Sequence, residues 1–398
     1  MNFPIISLML YIAYYSGQAV YNTYLNLYLT EIGMSATQIG IMISVSTVGV
    51  LASQLFWGRV SDRTGRKLQV LKALYALSMV FALMFYASRN YLYLFVLQTL
   101  FGMMFVPIVP LTDDMTLEML QRSRWDFGQI RAGGTLGYSL TSLVSGFCLK
   151  NHYSGIFWWI AGTMFLCLLC LMRLGADAKR QVKEADRKAV PPNAPDEGKS
   201  ELLIFFKDKA LVALIAFSLV HSLGNSFFYS YYPIYFVEIG GNSQWVGIMI
   251  FACAMSELPF FMSMERIVKR FGIVRVLLAA GILTGVRWLL LGRIYEPVLA
   301  VACNLLQGFS FTAVTWCLLN YINENIPYAF RARVQVLNNV IAMIFSKFIF
   351  GYLGGALFDS VGTPVVFFGM GILMAVAAPV FMGYVAKQLK GRIKENGI

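Results

Sequence analysis

Long apolar segments dominate this chain and constrain its fold more than any other feature. A helix needs ~20 mostly apolar residues to cross ~30 Å of hydrocarbon. The 398 residues contain twelve such stretches, each bounded by charged or turn-forming residues, and only 13% of the residues are charged. Soluble domains carry about 25%. The sequence therefore predicts an all-α membrane protein with twelve transmembrane helices, at approximately 5–30, 36–57, 68–88, 91–117, 129–149, 154–174, 209–236, 243–263, 273–292, 297–322, 334–357 and 363–386.

Lysine and arginine are distributed unequally between the connections. The even-numbered connections, the C-terminal tail and the helix ends beside them hold 26 of the 32 basic residues, and the odd-numbered connections hold three. Short, positively charged loops stay in the cytoplasm. We therefore expect a multi-pass protein of the cytoplasmic membrane with both termini in the cytoplasm. This asymmetry also accounts for the net charge of +12, which for that reason does not indicate a nucleic-acid partner.

The chain contains an internal repeat. The stretch YLNLYLTEIGMSATQIGIMI at 24–43 recurs as YYPIYFVEIGGNSQWVGIMI at 231–250, identical at nine of twenty positions with an offset of 207. A charged stretch with several prolines, 175–208, separates the helices six and six. We predict two pseudo-symmetric halves, 1–174 and 209–398, joined by a cytoplasmic linker at 175–208. A parallel repeat of this kind places a solute path between the halves near the membrane midplane.

Two equivalent helices carry polar residues on one face. The same offset pairs Gln18 with Asn225 and Asn22 with Tyr229, each set spaced i, i+4 along its helix. Polar faces within a bilayer normally point into a bundle or an aqueous cavity, because hydrocarbon offers no hydrogen-bond partner. We therefore predict that Gln18, Asn22 and Asn225 bind a solute. Hydrogen bonding between helices is the alternative.

A charged motif, GRVSDRTGRK at 58–67, follows the second predicted helix. Its two glycines allow a tight turn and close backbone approach, and its aspartate can pair with neighbouring arginines. The motif resembles the signature loop of the major facilitator superfamily. The resemblance implies the two-half, twelve-helix fold of that superfamily, and a latch that holds the helices in one conformation. A plain cytoplasmic anchor of positive charge is the alternative. The latch residues would be Gly58, Asp62, Arg63, Gly65 and Arg66.

Apart from basic residues near the cytoplasmic ends of the helices, six charged residues lie within the predicted spans, three of each sign. A lone ion at the centre of a bilayer costs ~3 kcal/mol or more, so we expect these groups to pair or to face water. Carboxylates within a membrane are candidates for proton or substrate sites, and a static ion pair between helices is the alternative. The bases are Arg131, Arg287 and Lys347, and the acids are Asp113, Asp114 and Glu257.

Residues 110–138 resemble the fourth and fifth helices of the lactose permease and of phenylpropionate-permease-like members of the superfamily. The resemblance implies that Asp113 takes the place of a sugar-binding glutamate, Arg131 that of its paired arginine, and Tyr138 that of a ring-stacking tryptophan. These side-chain types suit a solute with hydroxyl groups and an apolar ring face. Asp114 points ~100° away from Asp113, so we expect it to pack against a neighbouring helix or reach the inner interface.

The resemblance continues in the second half, where GVRWLLLG places Arg287 on the coupling arginine of the family. Further along, Gln307 and Ser310 replace the histidine and the proton-carrying glutamate of the family. Neither side chain titrates near neutral pH. If protons drive transport, we expect Asp113 or Glu257 to carry them, with Arg287 setting the protonation equilibrium. Arg287 could instead bind an anionic group of the substrate.

These features predict a secondary active transporter that moves a small organic solute by alternating access, as a proton symporter. The first-half resemblance favours a sugar or glycoside, whereas the intramembrane arginines and many tyrosines also suit a nucleoside or an aromatic acid. A drug or metabolite exporter and a transport-inactive receptor are the alternatives. An enzyme is not expected, because no nucleophile–base set or metal-ligand cluster is evident. We expect a monomer without cofactor, metal or nucleic acid, whose partners are its solute, protons and the lipid bilayer.

Overall fold

The computed structural model describes residues 3–120, 125–149, 152–185 and 208–395, and these ranges are helical throughout apart from short connections. Apolar runs of this length form helices in a bilayer because a helix satisfies every backbone hydrogen bond within one segment. The helices up to residue 185 are α1 (Phe3–Glu31), α2 (Ala36–Thr64), α3 (Lys67–Met84), α4 (Tyr91–Phe105), α5 (Ile108–Leu120), α6 (Phe127–Leu149) and α7 (Ile156–Ala185), with a 3₁₀ turn at Tyr153–Gly155.

The helices after residue 208 repeat the same plan. They include a short π-helical segment, Val340–Phe345, between α13 and α14. The helices are α8 (Lys209–Glu238), α9 (Ser243–Phe271), α10 (Ile273–Leu291), α11 (Pro297–Asn304), α12 (Gln307–Asn325), α13 (Tyr328–Asn339), α14 (Ser346–Val361) and α15 (Thr363–Glu395).

The number of membrane spans agrees with the prediction. Within the described residues, ten helical stretches are long and apolar enough to cross a membrane. Two further helices, α1 with 29 residues and α6 with 23 residues, have the length of a membrane span. These two helices carry Gln18, Asn22 and Arg131, which are polar residues within predicted spans. The all-α membrane fold with twelve spans is confirmed.

Glycines at equivalent turns show that the repeat extends to the backbone. Gly33 ends the first span with φ of 92°, and Gly240, at the offset of 207, has φ of 95°. Gly65 and Gly272 end α2 and α9 at the same offset, with φ of 60° and 81°. A side chain would strain the backbone in this left-handed region, so these turns require glycine.

The fourth span of each half is broken near its middle. α4 and α5 are separated at Val106 and Pro107, because proline has no N–H to continue the helix. α11 and α12 are separated at Leu305 and Leu306, where the Leu306 N–H donates to the Cys303 carbonyl at 3.2 Å in a 3₁₀-type turn. The second half of each broken span, α5 or α12, carries a polar residue of the candidate site.

The chain divides into two compact units. α9 begins within the first of them, since Tyr24 Oη donates to the Ser243 carbonyl at 3.3 Å and Ser243 Oγ donates to the Gly146 carbonyl at 3.0 Å. The first unit is Met1–Asn193 with Asn242–Phe251, and the second is Ala194–Gly241 with Ala252–Ile398.

The predicted boundaries at 174 and 209 stay predictions. Most of the predicted linker, 186–207, lies outside the described residues. α7 continues to Ala185, beyond the predicted end of the sixth span at 174.

Candidate functional site

Glycines on α6 bring it into direct contact with α1 in the first unit. A Cβ added to Gly134 would lie 2.6 Å from Tyr15 Cδ2, and one added to Gly137 would lie 2.6 Å from the Ile12 carbonyl oxygen. Both distances are far shorter than van der Waals contact, so the sequence AGGTLG is needed for this approach. The packing places Arg131, one turn earlier on α6, beside the tyrosines of α1.

Two tyrosines hold Arg131. Arg131 Nη1 donates to Tyr15 Oη, and the guanidinium carbon lies 4.7 Å from the centroid of the Tyr15 ring and 5.9 Å from that of Tyr11. The two rings stack with centroids 6.3 Å apart and an interplanar angle of 16°. Cation–π attraction and a hydrogen bond thus position the guanidinium, and no acid of the described residues lies at ion-pair distance from it.

Asp113 has its own tyrosine partner. Tyr11 Oη donates to Asp113 Oδ1 at 2.5 Å, and the Asp113 side chain is half-buried on α5. Among the described residues Asp113 forms no ion pair with Arg131, so the direct pairing implied by the resemblance is wrong for this conformation. The physical reason is that Tyr11 and Tyr15 satisfy the two charges separately.

Tyr11 and Tyr15 were not predicted from the sequence, although it contains a signal for them. They are spaced i, i+4 on α1, and they precede Gln18 by about one or two helical turns. Gln18 is half-buried, Asn22 is exposed, and Tyr138 is half-buried on α6. The structure therefore brings Asp113 and Arg131 to the two stacked tyrosines, and the predicted substrate contacts of Gln18, Asn22 and Tyr138 stay predictions.

The polar stripe on α8 runs from the buried interior of the second unit to its surface. His221 is 3% exposed and Asn225 8% exposed, whereas Tyr229 is 37% exposed. Asn225 Nδ2 lies 3.1 Å from His221 Nδ1, so the Asn225 amide is engaged with its own helix. Its role in solute binding stays a prediction.

Gln307 joins an arginine and a glutamate in the second unit. Arg287, on α10, is 1% exposed, and its Nη1 donates to Gln307 Oε1. Gln307 Nε2 donates to Tyr229 Oη at 2.5 Å and, more weakly, to Glu257 Oε1 at 3.5 Å. No direct ion pair between Arg287 and Glu257 is present in the described part of the chain. The amide therefore bridges the base and the acid that the sequence predicted as the coupling pair.

A glycine allows this bridge to form. A Cβ on Gly308 would lie 2.2 Å from the Ser256 carbonyl oxygen, so α9 and α12 meet backbone to backbone at this point. Glu257 follows Ser256 on α9, and Gln307 precedes Gly308 on α12. The close approach of the two helices thus places the carboxylate and the amide side by side.

The predicted latch differs in part from its expected form. Gly65 makes the predicted tight turn, and its N–H donates to the Ser61 carbonyl at 3.0 Å. Gly58 is not a site of close approach, because a Cβ added there would meet nothing within 4 Å. Asp62, Arg63 and Arg66 are exposed.

Asp62 forms no ion pair within the residues that the structure describes, so its expected pairing with nearby arginines is not observed. The last residue of the motif makes the inter-helix contact instead. Lys67 Nζ lies 2.5 Å from Asp114 Oδ2 and also bonds Glu118 Oε1, which ties the start of α3 to α5. Asp114 is therefore exposed and, within the described residues, contacts the neighbouring helix α3 only through its ion pair with Lys67.

Comparison with known proteins gives matches along almost the whole chain. Residues 5–369 match the MFS_1 like family. The chain is 25% identical to the maltose permease of Geobacillus stearothermophilus, over 94% of this chain and 92% of that protein. It is 23% identical to the probable 3-phenylpropionic acid transporter of Escherichia coli K12, over 87% of this chain and 91% of that protein. The crystal structure of the nucleoside transporter NupG superposes with a TM-score of 0.79 at 14% identity, covering 98% of this chain and all of that one, which shows the shared fold.

Proposed function

Because the chain belongs to the MFS_1 like family, which confirms the resemblance to the major facilitator superfamily, we propose that it is a proton-coupled symporter. It moves a small organic solute into the cell by alternating access. The maltose and 3-phenylpropionic acid relatives are transporters by name, and they cover nearly the full chain, which supports transport over catalysis or passive binding.

One observation carries the coupling part of this proposal. Glu257 lies on a membrane-spanning helix, half-buried, with the Gln307 amide as its hydrogen-bond partner and no direct ion pair to Arg287 in the described residues. A carboxylate tied directly to a buried arginine would be held ionised by that charge. A carboxylate that contacts a neutral amide can accept a proton and release it as its surroundings change during a transport cycle.

The solute is a sugar or glycoside, a nucleoside, or an aromatic acid. The names of the maltose and phenylpropionic acid relatives support the first and third classes. In the first unit, Asp113 and Arg131 offer an acceptor and a planar donor close to Tyr11 and Tyr15, and Tyr138 supplies a further aromatic face. These groups would bind the solute.

The protein is proposed to act as a monomer in the cytoplasmic membrane, with both termini in the cytoplasm. The charge asymmetry of the connections supports this orientation. Labelling of single cysteines placed at each terminus, in intact and in permeabilised cells, tests it. Labelling of either terminus in intact cells contradicts it.

The test of coupling uses Glu257→Gln in proteoliposomes loaded with labelled solute. The variant should lose accumulation driven by a pH gradient and retain downhill exchange, because exchange needs no net release of a proton. Glu265→Gln is the matched control, since Glu265 lies on the same helix but is exposed and paired with Lys269. It should behave as the wild type.

Three results would contradict the proposal at different levels. Gradient-driven accumulation by Glu257→Gln would remove Glu257 from coupling and leave Asp113 as the candidate. A wild-type protein indifferent to the gradient would contradict symport and favour a uniporter, an exchanger or a sodium-coupled carrier. Net efflux in cells under a physiological gradient would favour the exporter alternative.

A further inference from the structure

Among the residues that the structure describes, one edge of the Arg287 guanidinium has no partner. Nη1 is bonded to Gln307 Oε1, whereas Nε and Nη2 are buried without a hydrogen-bond partner. These two nitrogens point their N–H groups in the same direction and form the planar fork that binds a carboxylate with two parallel hydrogen bonds. A buried guanidinium with this edge unsatisfied is costly, so a ligand with two acceptor oxygens would be strongly favoured there.

The charges of the second unit leave a positive excess within its membrane spans. Arg287 and Lys347 are the bases in mid-span, and Glu257 is the acid. Lys347 is exposed and, within the described residues, has no carboxylate at ion-pair distance. Two bases against one acid leave an excess of one positive charge in mid-span of the second unit, which an anionic solute would offset.

The residues around the Nε and Nη2 edge of Arg287 range from exposed to fully buried. Tyr229 is 37% exposed and bonded to Gln307, which is fully buried and bonded in turn to Arg287. Phe228 lies against the guanidinium, with its ring centroid 4.8 Å from the guanidinium carbon. Phe228 also stacks on Tyr232 with ring centroids 5.1 Å apart, and the Tyr232 hydroxyl is a second buried donor that has no partner in the described part of the chain. Hydrogen-bond donors for the oxygens of a ligand and aromatic side chains thus lie side by side around Arg287.

We propose that the transported solute carries a carboxylate, and that the Nε and Nη2 edge of Arg287 binds this group. The inference rests on the proposed transport function and narrows its solute to an organic anion, with the aromatic neighbours favouring an apolar or ring-containing body. Both nitrogens are buried in this conformation, so neighbouring side chains must move before a carboxylate reaches them.

The first experiment compares matched pairs of probes on the purified full-length protein by thermal shift and calorimetry. Each pair has a carboxylate and its neutral amide: 3-phenylpropionate with 3-phenylpropionamide, benzoate with benzamide, and glucuronate with glucuronamide, beside maltose and uridine. A ligand that binds the folded state raises the apparent melting temperature. At least one carboxylate should bind and its amide should bind roughly ten- to hundred-fold more weakly, because hydrogen bonds to a charged group are lost.

The second experiment changes the fork without removing the charge. Arg287→Lys keeps a cation but lacks the planar pair of donors, so the Kd of the bound carboxylate should rise roughly ten-fold or more. Arg293→Gln is the matched control, because Arg293 is exposed and its guanidinium carbon lies 5.3 Å from the Phe368 ring centroid. This variant should keep the wild-type Kd. The comparison of wild-type protein with the paired probes remains decisive if Arg287→Lys fails to fold.

Several outcomes overturn the inference. They are equal binding of a carboxylate and its amide, an unchanged Kd in folded Arg287→Lys, or no stabilisation by any carboxylate in the panel. Proteoliposome flux separates this failure from failure of the proposed function. If maltose or uridine is transported and no carboxylate is, the inference fails while the transport function stands. If no probe crosses the membrane, both fail.

Discussion

Replacing Gly308 by alanine tests whether the close approach of α9 and α12 is needed for the hydrogen bond between Gln307 and Glu257. The added Cβ would lie 2.2 Å from the Ser256 carbonyl oxygen, against 3.4 Å or more for ordinary contact. The backbones of α9 and α12 must therefore separate by about 1 Å at this point. The hydrogen bond from Gln307 Nε2 to Glu257 Oε1 is already 3.5 Å long. A further shift of about 1 Å places it beyond hydrogen-bonding distance.

The expected cost in stability follows from two opposing terms. Overpacking of a tight contact costs about 1–3 kcal/mol. Alanine in place of a helical glycine recovers up to about 1 kcal/mol. We expect Gly308→Ala to be less stable by about 1–2 kcal/mol, to have a lower apparent melting temperature in detergent, and to lose accumulation of solute driven by a pH gradient.

Gly369→Ala on α15 is the matched control, because a Cβ added at Gly369 would meet nothing within 4 Å. It should keep the wild-type melting temperature or raise it, and it should transport normally. If Gly308→Ala behaves like Gly369→Ala in both measurements, the close approach of α9 and α12 does not set the geometry of the bridge, and the reasoning is refuted.

Two further predictions concern the first unit. Lys67→Gln removes two half-exposed ion pairs, to Asp114 and to Glu118, each worth roughly 0.2–1 kcal/mol. The variant should therefore have a lower melting temperature than the wild type at low salt. At high salt the two melting temperatures should be the same, because salt screens exposed ion pairs. Lys269→Gln, whose exposed partner lies on its own helix, should show a smaller change, and equal shifts would contradict a role for Lys67 in joining α3 to α5. Tyr138→Phe should keep the solute Kd, whereas Tyr138→Ala should weaken binding by ~1 kcal/mol or more if the ring stacks on solute; equal Kd values for the two variants would exclude stacking.

The fold was largely predictable because a bilayer permits few solutions. Length and hydropathy indicated the spans, and the repeat at an offset of 207 reappears in the paired glycines Gly33 and Gly240. The broken fourth span was less predictable in the second half than in the first. Pro107 indicates the break between α4 and α5. The break between α11 and α12, at Leu305, has no proline and depends on local 3₁₀ geometry.

The charged residues of the site were predictable, and their partners were not. An ion within a hydrophobic segment is conspicuous in sequence, so Asp113 and Arg131 were identified. Which neutral group binds each ion depends on how closely α1 and α6 approach each other. Glycines of α6 set this distance through contacts with Tyr15 and Ile12, and the sequence alone does not reveal contacts between residues so far apart in the chain. Tyr11 and Tyr15 are ordinary residues in a chain with 21 tyrosines, so composition did not single them out.

Gln307 connects the two charged residues on which the proposed coupling depends. A direct pair between buried Arg287 and Glu257 would be stable but static, since breaking it would leave two uncompensated ions. The amide accepts from the arginine with its oxygen and donates to the glutamate with its nitrogen, so each ion keeps a partner while the other changes. A carboxylate arriving at the free edge of Arg287 would reduce the positive field at Glu257 and favour its protonated form. Binding of an anion and uptake of a proton would then favour each other, as symport requires. Because linked binding equilibria are reciprocal, lowering the pH should also lower the Kd of the anion.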